Sequence, residues 1–359
     1  MKTSFIFLAI FLFCAVAAFP QNESDLERYG FKGSVKNVQS YEIHFWGAED
    51  SRRQGSRNVS GILNFDRNGN ILELMSFNND GNGSYYEKQV YFHDSSDRKS
   101  SLARYISSKS APDEVFDSAP TKNFYYNLIL RLKESLSTRT FYKYDEKGRL
   151  IEKSEITAKG EIAERWVFAY NEDGKTTRFA IYDGQNALTT EINTNFKDNG
   201  RTAESVRIEK GVEINKSIQY FDEKGRLIKG EQFILKPSAN LSGAREIYLH
   251  NRTIYKFTGD KTEMEWMFFE ENGTPQSKLI ITDNNKDDEY LRESYDYRIL
   301  PDDNSNPKDK SEWRLTGREF RNYEYDKRGN WIKCTWLRQE NFEKPPFPTS
   351  IYERDISYY

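Results

Sequence analysis

Little in this chain resembles catalytic equipment. It contains two cysteines in 359 residues. One of them, Cys14, lies in an N-terminal apolar run, so the mature chain keeps Cys334 alone and an internal disulfide is excluded. The three histidines, His44, His93 and His250, form no H-x-x-x-H or H-E-x-x-H pattern. Neither a zinc site nor a histidine-centred general base is therefore indicated. The stretch from Asp283 to Ser294, DNNKDDEYLRES, has oxygen ligands at spacings that suggest a calcium loop. It places Asp288 where such a loop needs Gly and Ser294 where it needs a bidentate Glu, so an EF-hand is rejected. No glycine-rich loop opens a helix, which excludes the usual phosphate cradle. No cofactor and no metal are expected. A basic block is also missing and the formal net charge is −3, so nucleic acid is not an expected partner.

The first residues stand apart. Lys2 precedes FIFLAIFLFCAVAA, and a polar stretch follows. A positive residue, a short apolar run and small residues at its end read as a secretory signal peptide over 1–18, cleaved near Ala17 or Ala18. The run is shorter than the ~20 residues a helical span needs. No transmembrane span is expected once the leader is removed, and the protein is read as exported, periplasmic or extracellular. A lipoprotein anchored through Cys14 is the lesser alternative, because Phe13 occupies a position where a small residue normally precedes a lipidated cysteine.

What the chain does have is aromatics, 15 % of its residues, set among Lys, Glu, Thr and Asn. That composition suits half-solvated antiparallel strands. Helical periodicity is nearly absent; residues 123–135 remain open between helix and strand. The decapeptide YDEKGRLIEK at 144–153 returns as FDEKGRLIKG at 221–230. Reduced to aromatic-x-x-x-Gly, the pattern ends at Gly69, Gly148, Gly174, Gly200, Gly225, Gly273 and Gly329. These glycines step by 26, 26 and 25 residues between 148 and 225. The next step, 48, reads as two units, and the gap of 79 between Gly69 and Gly148 reads as three. Second turns at Lys159-Gly160, Asp183-Gly184 and Lys210-Gly211 divide each unit into strand, turn, strand, turn. Each aromatic-x-x-x-Gly turn is expected to close on a glycine with positive φ, the conformation of a G1-type bulge. The fold class is therefore all-β: tandem hairpins forming a long curved antiparallel sheet, open or partly rolled into a shell. Residues 19–60 would start the array, 61–340 form it, and 341–359 supply a closing strand.

Tyr144-Asp145-Glu146-Lys147-Gly148-Arg149-Leu150 resembles the YD repeat of the rearrangement-hotspot (RHS) family, and Phe221 to Leu227 matches with Phe for Tyr. The remaining copies, such as FDRNGNIL at 65–72 and YDKRGNW at 325–331, are degenerate. The resemblance covers roughly 60–340. Large members coil their repeats into a hollow β-shell around a toxin. This chain lacks their length, toxin module and autoproteolysis motif, and is similar to small stand-alone members that carry a signal peptide. Encapsulation is not carried over.

For function, two expectations follow. The first is a non-enzymatic exported protein that presents a binding surface to an envelope protein or a glycan. The alternative is a hydrolase of envelope polysaccharide working through dispersed carboxylates; none of the 56 acidic residues is singled out by sequence. Trp331 and Trp336 are the candidate ligand platform. Their odd spacing would point them to opposite faces of one regular strand, leaving at least one away from the main core.

Overall fold

The computed structural model describes residues 24–46, 52–55, 57–79, 84–107, 134–237, 245–284, 289–299 and 311–359. A single-turn helix, α1 (Asp25–Arg28), is followed only by strands. These are β1 (Val35–Trp46), β2 (Arg53–Gln54), β3 (Asn58–Phe65), β4 (Ile71–Asn79), β5 (Ser84–His93), β6 (Lys99–Ser107) and β7 (Glu134–Tyr144). Next come β8 (Leu150–Thr157), β9 (Ile162–Tyr170), β10 (Thr176–Asp183), β11 (Leu188–Lys197), β12 (Thr202–Glu209), β13 (Val212–Phe221) and β14 (Leu227–Pro237). The chain ends with β15 (Arg245–Thr258), β16 (Lys261–Phe269), β17 (Pro275–Asn284), β18 (Glu289–Ile299), β19 (Ser311–Tyr325), β20 (Trp331–Gln339) and β21 (Phe347–Tyr358).

From β3 to β21 each strand pairs antiparallel with the next. β1 then pairs with both β3 and β21. Val38 sits opposite Leu63 on one side and Ile356 on the other. The sheet is therefore a closed 20-strand antiparallel barrel, with β2 a short flap on β1. This corrects the expectation of a long curved sheet, open or partly rolled. The physical reason is that twist and bulges accumulate along the array until its last strand meets its first, and closure removes both unpaired edges.

The turns explain the repeated decapeptide. In the turn after β7, Gly148 has φ +77° and donates its N–H to the Asp145 carbonyl at 2.9 Å. Asp145 Oδ1 accepts from the backbone N–H groups of Lys147 and Arg149, and Asp145 Oδ2 accepts from Arg149 Nε at 2.7 Å. Arg149 then reaches along the barrel rim to lie over Tyr170, 4.7 Å from the ring centre, and Tyr170 opens the next such turn. Arg98 over Tyr144 and Arg226 over Phe257 repeat the contact. The motif thus closes its own turn with Asp and Gly and stitches neighbouring turns together with Arg and the aromatic. Gly174 and Gly225 have φ +80° and +74° as expected.

Two readings of the period need correction. The gap between Gly69 and Gly148 holds one further turn of this kind, at Asp94–Asp97, where Asp97 takes the positive φ (57°) in place of glycine. It therefore spans two units and not three. Gly273 closes the β16–β17 turn, whereas Gly225 closes β13–β14. Three strands separate them, an odd number, so Gly273 lies at the opposite end of the barrel from the other six.

Cross-strand partners divide the residues into two faces. One carries Tyr142, Trp166, Phe168, Phe179, Tyr255 and Trp266. From β7 to β21 the other face has at least one charged residue on every strand, many in ion pairs such as Arg178–Glu191, Arg252–Glu231 and Arg318–Glu293. Over the same strands nearly all the buried residues, among them Thr140, Ser205, Gln232, Asn251, Thr253 and Cys334, belong to the aromatic face. Side chains converge on the concave side of a barrel and splay on the convex side, so the aromatic face is the inner wall. On β1 and β3–β5 the outer wall instead carries Tyr41, Val59, Ile62, Met75, Phe77 and Tyr86, packed in two small apolar clusters. Among the described residues no helix is long and apolar enough to cross a membrane.

The N-terminal segment covers one end of this inner wall. Ser24 and Glu27 form a capping box around α1. Leu26 and Phe31 then pack with Val35, Val38, Phe65 and Ile71 in the main apolar cluster. Lys32 exchanges two hydrogen bonds with the Asn330 side chain, which ties the segment to the β19–β20 turn.

Candidate functional site

Where the seam closes, β18 to β21 build a pocket on the inner wall. Its cavity has a volume of about 420 Å³ and is lined by Arg321, Tyr323, Trp331, Cys334, Trp336 and Arg354, with Ser40, Tyr41, Tyr352 and Glu353 around it. Arg321 lies between two rings, 3.7 Å from the centre of Tyr290 and 4.3 Å from that of Trp336. Arg354 lies 3.3 Å from the centre of Trp331, with Phe31 at 4.9 Å. Trp336 and Tyr352 are neighbours at 5.5 Å.

Trp331 and Trp336, expected on opposite faces, line the same pocket. The odd spacing was counted along a regular strand, but the β19–β20 register shifts between Glu324–Lys333 and Tyr325–Trp331. That skips Ile332, and a bulge flips the alternation beyond it. The bulge follows directly from the Asp326–Gly329 turn, whose Gly329 has φ +79°. Nothing local in the sequence pointed to Arg321, Arg354, Tyr290 or Tyr352, because cross-strand pairing alone brings them together.

The pocket is electrostatically unusual. Nε of both Arg321 and Arg354 is buried without a hydrogen-bond partner. Burial pushes the Arg354 guanidinium down to about 10. Burial, with the Glu42 carboxylate, pushes the Tyr352 hydroxyl up to about 12. Burial also raises the Cys334 thiol, so it stands here as a protonated, apolar filler and not as a nucleophile. Glu353, next in sequence, turns to the outer wall and pairs with Arg57 at 2.6 Å. Stacked guanidinium groups and indole rings can bind and orient a ligand; they offer no base to move its protons.

The other residues considered from sequence are scattered. His44 faces Ser350 at 3.1 Å, His93 lies 3.8 Å from Asp25, and His250 packs against Phe268. Among the described residues no group of His, Cys, Asp or Glu could hold a metal ion. Trp166 carries Lys153 at 4.0 Å, and Trp313 packs against Tyr297 on the outer wall. One pair of inner-wall carboxylates stands out: Glu155 and Glu164 are direct cross-strand partners. Burial and then the Glu155 charge hold the Glu164 carboxyl above its ordinary range.

No family model and no curated protein sequence matches this chain. Among solved structures it is similar to a porin-like protein from Bacteroides uniformis, with 10 % identity over 91 % of this chain and 99 % of that one, at a TM-score of 0.33. It is also similar to a protein with unknown function from Bacteroides fragilis, with 15 % identity over 40 % of this chain and 91 % of that one, TM-score 0.26. A third likeness is to TcdB2-TccC3 without its hypervariable C-terminal region, with 10 % identity over 78 % of this chain and 20 % of that one, TM-score 0.17.

Proposed function

We propose that this chain is an exported, non-enzymatic binding barrel, a stand-alone relative of the YD-repeat proteins, which holds a glycan of the cell envelope against its inner wall. The observation that carries this reading is the pocket of Arg321, Trp331, Trp336 and Arg354: ring faces and guanidinium edges around an open cavity, with no general base among them. Export rests on the leader, Lys2 and the apolar run to Ala18. The test is titration of the mature protein with a panel of oligosaccharides, followed by calorimetry and tryptophan emission. Binding that is lost in Trp336→Ala supports the reading. Absence of binding across the panel, with an envelope protein captured instead on the charged outer wall, refutes it.

A second reading, hydrolysis of an envelope polysaccharide, has one observation in its favour, the Glu155–Glu164 pair beside Lys153 and Trp166. Glu164 is raised first by burial and then by the Glu155 charge, and a raised carboxyl beside an ionised one is an arrangement glycosidases use for their acid. Release of reducing ends by the wild type and none by Glu164→Gln would favour it over pure binding.

A further inference from the structure

We infer that the sugar held in this pocket is acidic: a ring bearing a carboxylate or a sulfate group, gripped edge-on by Arg321 and Arg354. The inference deepens the glycan-binding reading and rests on it. Its basis is a break in the chain's own pairing rule. Four other described arginines have a buried, unpartnered Nε; Arg52 lies over the Phe347 ring without an ion pair, and the remaining three, Arg104, Arg207 and Arg292, stand on the inner wall. Each of these three offers a terminal nitrogen to a carboxylate, Arg104 to Glu87, Arg207 to Glu209 and Arg292 to Glu319. Arg321 and Arg354 form no ion pair with any described carboxylate. The nearby acids are committed elsewhere: Glu353 to Arg57, and Glu42 to His44 at 3.2 Å and to Tyr352.

Two partly desolvated positive charges in one cavity are costly unless a counter-charge arrives. The stacking also dictates how it arrives. Tyr290 and Trp336, the cross-strand partners of Arg321 on either side, both lie against its guanidinium, while Trp331 and Phe31 lie against Arg354. Tyr323 already takes one side-chain hydrogen bond from Arg321, and the guanidinium N–H groups left over are what an anion can meet; a free guanidinium edge matches a carboxylate or sulfate with two parallel hydrogen bonds. The cavity of about 420 Å³ is larger than a lone inorganic ion needs and lies within the range of small-molecule sites, with the Trp331 and Trp336 rings at its wall.

The experiment is calorimetric titration of the mature wild-type protein with three size-matched oligosaccharides: an oligogalacturonate, a chondroitin sulfate fragment and a neutral cello-oligosaccharide. Sodium acetate and inorganic sulfate serve as bare-anion probes. Tighter binding of at least one acidic oligosaccharide than of the neutral one, by about tenfold or more, is expected, and the preferred arm tells carboxylate from sulfate. Raising the salt concentration should weaken that binding, and Arg321→Lys, which keeps the charge but loses the fork, should weaken it too. Equal affinity for neutral and acidic oligosaccharides would overturn the acidic assignment and leave glycan binding intact. Acetate or sulfate binding as tightly as the oligosaccharides would overturn the sugar itself, and with it the broader reading. Both comparisons use the wild type, so neither depends on a variant that fails to fold.

Discussion

Replacing Gly225 isolates the turn chemistry from packing. Gly225 has φ +74°, and a Cβ built there meets nothing within 4 Å. Any cost of Gly225→Ala is therefore backbone strain, about 1–2 kcal/mol for an L-residue in the left-handed region. Ala also stiffens the unfolded chain, which returns about 0.4–1 kcal/mol. A net loss of roughly 1 kcal/mol is expected from these two terms. Gly225→Asn should cost distinctly less, because asparagine tolerates this conformation; Asn186 (φ 61°) and Asn199 (φ 55°) adopt it in this same chain. Gly69→Ala should cost more than Gly225→Ala, because its Cβ would sit 3.2 Å from both Leu26 Cβ and Ser24 Oγ under the N-terminal helix. The assay is equilibrium urea unfolding of the mature protein followed by tryptophan emission. The expected ranking runs from Gly225→Asn, the mildest, through Gly225→Ala to Gly69→Ala, the worst. Equal instability of Gly225→Asn and Gly225→Ala, or wild-type stability in Gly225→Ala, would refute the claim that positive φ is what these turns demand.

Three further outcomes follow from the same contacts. The Arg226 backbone N–H and guanidinium hold the Asp222 carboxyl below its usual range; at Asp145 a desolvation that acts the other way is outweighed by the same contacts from Arg149. A depressed folded-state value stabilises above the unfolded carboxylate value of about 3.9 and is lost as pH falls through the folded one. The urea midpoint should therefore fall off in that acid range, and less steeply in an Asp145→Asn, Asp222→Asn double variant; identical acid limbs would argue against the turn carboxylates. Cys334 is 3 % exposed with its thiol raised by burial. Iodoacetamide should label it only after unfolding, as read by mass spectrometry, and rapid labelling of the native protein would contradict its placement. Stopping the chain after residue 340 removes β21 and leaves β1 and β20 with open edges. Light scattering should then show self-association, whereas a stable monomer with wild-type unfolding would show that closure contributes little.

Much of this protein was written locally. Alternation of side chains, the aromatic-Asp-x-x-Gly turn and the positive φ of its glycine depend on residues within one hairpin, and they were legible at Tyr144–Leu150 and Phe221–Leu227. The segregation of aromatic and charged rows onto two faces was legible for the same reason. What escaped was whatever depends on pairing or on accumulated geometry. Asp97 hid a turn by taking the place of glycine. Gly273 carries the right motif at the other end of the barrel, because one long strand, β15, occupies the length of sequence where two were expected. The bulge at Ile332 turned two tryptophans onto one wall. Closure itself has no local signal: Val38 meets Ile356 only after twist and bulges have carried the sheet through a full circuit. The candidate site inherits that dependence. Arg321, Trp336 and Arg354 come from three adjacent strands and Phe31 from the far end of the chain, and only the closed barrel sets them around one cavity.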